Sequence, residues 1–107
     1  MYLKSINIRN TQYIFDPDKM PELSSNTPLI IYFNIKSMDG GYLYASSKQE
    51  AGSFCKKMPQ GNKFVIITSY NKMEKTLHQI KSTKEKKIVW DTIEKFLQKY
   101  SMYEAMP

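Results

Sequence analysis

The stretch that most constrains this chain is Leu29-Ile30-Ile31-Tyr32-Phe33, five apolar residues in a row directly after Pro28. β-Branched and aromatic side chains favour a pleated strand. The run is far too short to span a bilayer, which takes about 20 apolar residues. A strand over 29–36 follows. Ser37-Met38-Asp39-Gly40-Gly41 then reads as a turn, because Asp-Gly and Gly-Gly supply the positive φ angles of tight hairpins. Residues 42–45 read as the returning strand. This hairpin is the clearest supersecondary unit in the sequence.

The flanking segments are read in the same way. Residues 2–8 form a strand, Arg9-Asn10-Thr11 a turn, and 12–15 a second strand stopped by Asp16-Pro17. Residues 16–28 hold three prolines with Ser24, Ser25 and Asn26, and form a long loop. Ser47-x-x-Glu50 is a capping box that opens a helix with Ala51, Phe54, Cys55 and Met58 on one stripe; Pro59 and Gly61 end it. Residues 63–70 read as a buried strand, so that 42–70 suggests a crossover with parallel pairing. Asn71 opens a short helix in which Met73, Leu77 and Ile80 share a face. Ser82-x-x-Glu85 caps the longest helix, roughly 83–103. Its Val89, Trp90, Ile93, Phe96, Leu97 and Tyr100 lie opposite Lys84, Lys87, Asp91, Lys95 and Gln98.

The expected order is β-β-β-β-α-β-α-α. That is an α+β fold: a small, mostly antiparallel sheet of about five strands, with two or three helices packed on one face. At 107 residues, 1–107 is expected to be a single α+β domain.

Composition narrows the setting. Hydrophobic residues make up 41% of the chain, too many for a disordered segment. The start shows no secretory signal pattern, and no run is long enough for a membrane span. One cysteine, Cys55, makes neither an internal disulfide nor a cysteine metal cluster. A cytoplasmic protein without a membrane partner, a metal or a cofactor is expected.

Charge is distributed unevenly. Residues 1–47 hold four basic and four acidic side chains and are neutral, while 48–99 hold twelve lysines against five acids. Such a surplus attracts phosphate-bearing or acidic partners. The excess is almost all lysine, with Arg9 the single arginine. Lysine acts as a hydrated point charge rather than a bidentate fork, and a solvated face is the competing reading. The candidate nucleic-acid patch is Lys56, Lys57, Lys63, Lys72, Lys75, Lys84, Lys86 and Lys87. Tyr42 and Tyr44, two apart on a strand, share a face and are candidates for base stacking.

Catalytic signals are sparse. His78 is the only histidine and the first general acid–base candidate. Nothing in the sequence places a nucleophile beside it. Cys55 sits at core spacing next to Lys56 and Lys57, which favour a thiolate; burial as a small hydrophobe is the commoner role. Asp16, Asp18 and Glu22 lack the spacing of a Ca²⁺ loop. Asp39-Gly40-Gly41 lacks the helix and lysine of a P-loop.

Three functions remain in order. The first is a non-enzymatic binding protein for nucleic acid or a nucleoprotein complex, acting through the lysine-rich surface of 48–99; an acidic protein surface is the related partner. The second is a small protein–protein module, such as a phage- or plasmid-type inhibitor or accessory factor. Met102, Tyr103 and Met106 would then form its apolar docking tail, on a partner or on a second copy. The third is a small metal-independent ribonuclease built around His78.

Overall fold

The computed structural model describes residues 3–105, and for 103–105 the backbone alone. Met106 and the Tyr103 side chain, two of the three docking candidates in the tail, lie outside the described residues. In chain order the elements are β1 (Lys4–Ile8), β2 (Thr11–Phe15), β3 (Leu29–Asn34), β4 (Asp39–Tyr44), α1 (Lys48–Lys57), β5 (Lys63–Ile67), α2 (Met73–Gln79), α3 (Thr83–Tyr100) and β6 (Tyr103–Ala105). Short 3-10 turns lie at Pro17–Lys19 and Tyr70–Lys72. The fold is α+β, in the expected element order up to α3.

The strands divide between two sheets rather than joining in one. β1, β2 and β6 form the first, with β2 central; β4, β3 and β5 form the second, with β3 central. Every neighbouring pair is antiparallel. The parallel pairing expected between 42 and 70 is therefore absent. β4 and β5 do run parallel to each other, but β3 lies between them. β3 is the most apolar strand, and the central place pairs both of its edges.

Both faces of the second sheet are covered, not one. Along β3, Leu29, Ile31 and Phe33 point into the main core, with Ile6, Ile8, Tyr13 and Phe15 of the first sheet and Ile88, Val89, Trp90, Ile93, Phe96 and Leu97 of α3. Ile30 points the other way, into a smaller cluster with Ala45 and Ala51, against which Phe54 and Cys55 pack. Tyr32 meets Phe54 at 5.3 Å between ring centroids. α1 thus lies on one face of this sheet and α3 on the other. The physical cause is the unbroken apolar run itself, since strand residues alternate faces and both faces then need cover.

The helix starts follow their caps. Ser47 Oγ accepts from Glu50 N at 3.0 Å, and Ser82 Oγ accepts from Glu85 N at 3.4 Å. The glutamates do not reach back: Glu50 accepts from the Ser46 hydroxyl, and Glu85 pairs with Lys63. α3 ends at Tyr100, short of 103. Met102 N donates to Ile14 O at 2.7 Å, and β6 then adds to the open edge of β2.

The hairpin turns two to three residues earlier than its glycines suggest. Residues 35–38 form the turn, and Met38 carries its positive φ of 57°. Asn34 Oδ1 accepts from Lys36 N at 2.9 Å and steadies the bend. Gly40 and Gly41 lie within β4 and do not have positive φ. Gly40 is small because α3 crosses it: a Cβ there would lie 2.7 Å from Ile88 Cγ2 and 3.2 Å from the Tyr32 carbonyl oxygen. Gly40→Val should therefore destabilise the fold by about 1–3 kcal/mol, the usual cost of overpacking. Urea denaturation reads this directly; wild-type stability in the variant would mean that α3 does not seat so closely.

Candidate anion-binding surface

The exposed side of α3, the adjacent α2 and the β1–β2 turn carry most of the charge chemistry. The turn places Arg9 at φ 55°, an uncommon conformation for a side chain larger than glycine. Arg9 is held there by two acids of α3. Its Nε donates to Glu94 Oε1 at 2.9 Å, and Nη2 donates to Asp91 Oδ1 at 2.8 Å and pairs with Glu94 Oε2 at 2.8 Å. Lys87 Nζ reaches the other Asp91 oxygen at 3.1 Å. The Glu94 hydrogen bond, opposed by partial burial and reinforced by Asp91, raises the Arg9 pKa still further. At Asp91, burial favours the neutral acid, but hydrogen bonds from Arg9 and Lys87 outweigh it and lower the carboxyl's pKa.

A lowered pKa stabilises the fold above the unfolded-state value, about 3.9 for Asp, and that contribution is lost as pH falls through the folded value. Arg9→Ala should cost at most about 1 kcal/mol at neutral pH, because the pair is well exposed and screened. It should also flatten the loss of stability below about pH 4. Urea melts of both proteins at neutral and acid pH test this; parallel acid limbs would exclude a contribution from the clamp.

All eight lysines of the candidate patch are exposed. They do not share one face. Lys56 and Lys57 end α1, so the second sheet separates them from Lys84, Lys86 and Lys87 on α3. Lys72 and Lys75 belong to the 3-10 turn and to α2, the element preceding α3. Lys63 opens β5 and binds Glu85 at 2.6 Å, which partly neutralises it. Two clefts flank α3 and share Lys87. One is lined by Arg9, Leu77, Thr83, Lys86, Lys87 and Trp90. The other includes Met38, Gly40, Asp91, Thr92 and Lys95. Arg9 and Lys95 thus join this surface, although the lysine-rich stretch alone did not single them out for it. Lys95 lies eight residues after Lys87 on the polar stripe, a legible signal. Arg9 gave none, because its partners lie more than eighty residues along the chain.

The tyrosines face inward or are held. Tyr42 meets Phe96 edge-on at 5.4 Å, and the Tyr44 hydroxyl donates to Glu22 O at 2.7 Å. Tyr70 likewise donates to Pro21 O, and its burial, aided by Tyr44 and Tyr100, raises its pKa well above the ordinary tyrosine value. Tyr44 and Tyr70 together tie down the loop at 16–28, and Tyr42 and Tyr44 are both half-buried.

The chemical candidates are spread apart. His78 is exposed on the last turn of α2. Cys55 is half-buried in the small cluster beneath α1. Asp16 is buried and accepts from Asp18 N at 3.0 Å, which caps the 3-10 turn. Among the described residues no three His, Cys, Asp or Glu side chains are grouped to hold a metal ion. No helix among them is long and apolar enough to cross a membrane. Met102 is half-exposed beside the β2 edge.

The chain matches no protein-family model, no curated protein and no solved structure.

Proposed function

We propose that this chain is a non-enzymatic binding protein for nucleic acid or a nucleoprotein complex, which it engages through the exposed lysines of α2 and α3. The observation that carries this reading is the crowding of Lys84, Lys86 and Lys87 into the first turns of α3. The macrodipole makes a helix N-terminus positive, so cations there cost a few tenths of a kcal/mol each. Stability alone favours acids at these positions. A polyanion across the helix start reverses the sign of that cost and adds phosphate contacts.

The ion-pair pattern points the same way. Of the twelve lysines in 48–99, only Lys63 and Lys87 have a carboxylate partner among the described residues. The remaining charge is free to act on a partner.

The test is a salt titration of binding to labelled single-stranded and duplex oligonucleotides. Neutralising four phosphates of a duplex gives a slope of about −3 to −4 in log K against log salt. Absence of binding at about 50 mM salt, where electrostatic affinity is strong, would reduce the lysines to a solvated face and direct attention to acidic proteins.

A further inference from the structure

The second sheet has an open edge. β5 pairs with β3 along one side, and no described strand lies along the other. The ladder fixes which of its backbone groups are open, because alternate residues of a strand bond to opposite neighbours. Ala45 N donates to Pro28 O at 3.0 Å, so Pro28, Ile30 and Tyr32 direct their backbone polar groups at β4. Leu29, Ile31 and Phe33 then serve β5, through Ile67, Val65 and Lys63. Phe64 and Ile66 are left with their N–H and C=O groups aimed away from the sheet. No other segment among the described residues supplies a backbone partner for them.

Edge strands are normally blunted by lysine, proline or a bulge. β5 has a charge only at its start, Lys63, and Glu85 holds that lysine at 2.6 Å. Phe64 to Ile67 are all apolar. Ile66 is 54% exposed, the most exposed large hydrophobic residue described. Ile30, directly opposite it on β3, is fully buried in the cluster with Ala45 and Ala51. α1 therefore covers the β3 side of this face. It leaves the β5 side as an apolar shelf next to open backbone groups.

Charge selects the occupant. Lys56 and Lys57 are exposed at the end of α1, the helix on this same face, and β5 starts at Lys63. The link between them turns back on itself, with Asn62 N donating to Pro59 O at 3.4 Å, and keeps the helix end close to the strand start. From Ala51 to Met73 the chain contains no acid. The nucleic-acid surface of α2 and α3 leaves Lys56 and Lys57 unused. A second copy would set a net charge of +6 against the same charge, whereas an acidic strand is attracted. We infer that the β5 edge takes an extended acidic segment of a partner protein as a fourth strand of the second sheet. The segment's backbone pairs with Phe64 and Ile66, an apolar side chain rests on Ile66, and carboxylates beyond the paired stretch meet Lys56 and Lys57. In strand addition the main-chain bonds supply affinity and alternate side chains supply specificity. This site goes beyond the nucleic-acid reading and does not depend on it.

The probe is a fluorescent peptide of alternating valine and threonine with aspartates at both ends, titrated with the full chain at low salt. Saturable binding is expected, at least about tenfold tighter than for the same peptide with lysine ends. N-methylation of one set of alternate peptide amides should abolish binding, and methylation of the other set should leave it, because only one edge of the added strand meets β5. Ile66→Pro removes an N–H that points away from β3, so the ladder survives and peptide binding is lost. Ile66→Ser, which removes the apolar shelf, should weaken binding about tenfold, and it decides the question if the proline variant unfolds. Lys56→Glu with Lys57→Glu should weaken peptide binding about tenfold or more, the scale of a charged contact. Lys84→Glu with Lys86→Glu should leave it unchanged. Absence of saturable binding, equal affinity for the lysine-ended peptide, or indifference to both methylated sets overturns the inference. Loss of peptide binding from the α3 reversal alone would move the acidic partner to the nucleic-acid surface and overturn it as well. So would self-association of the chain that Ile66→Ser abolishes, which gives the edge to a second copy.

Discussion

Phe96→Ala should remove about 3–5 kcal/mol of stability, the range for truncating a buried aromatic side chain. Phe96 is fully buried where α3 meets the second sheet. Its ring receives Tyr42 edge-on and packs against Tyr100 at 5.1 Å. Such ring pairs add about 0.5–1.5 kcal/mol beyond area burial. Small domains have about 5–15 kcal/mol in total, so the variant should melt about 15 °C lower or more. Tyr42→Phe, which keeps the ring contact, should change little. A loss below about 1 kcal/mol for Phe96→Ala, the level of an ordinary surface change or a minor contact, would mean that α3 does not organise the core.

The triple reversal Lys75→Glu, Lys84→Glu, Lys86→Glu should weaken oligonucleotide binding about a hundredfold or more at low salt, because each change removes an attraction and adds a repulsion. Stability should hold. The sites are exposed, and acids in the first turn of α3 suit its macrodipole. Reversing Lys56 and Lys57 instead should have little effect, since α1 lies across the sheet from α3. Equal losses from both sets would mean that the partner wraps around the molecule. Unchanged binding by the triple variant, with an unchanged melting curve, would remove α2 and α3 from the site.

Local periodicity made much of this fold readable. The stripe Val89, Trp90, Ile93, Phe96 and Leu97 is buried, and both serine caps are in place. Two further features were written in the sequence but needed a different reading. Five consecutive apolar residues require cover on both faces of a strand. A glycine in a strand, as Gly40 shows, can mark a crossing helix as well as a turn. Other features lay beyond local pattern. The Arg9 clamp joins a turn to a helix far along the chain, and β6 shows its role only through β2. The same holds for the site. Lysine count was legible, but the sheet that divides Lys56 and Lys57 from Lys86 was not.

The pairing of β6 with β2 also bears on how the molecule opens. Its partners, Gln12↔Ala105 to Ile14↔Tyr103, come from opposite ends of the described chain. Contacts so distant in sequence form late in folding, because the intervening chain must be ordered first. Three residues held along one edge are also the first to fray in native-state hydrogen exchange. When β6 lifts, the central strand of the first sheet becomes an unprotected edge, a template for another extended chain. The short closing strand therefore acts as a guard against strand exchange between copies.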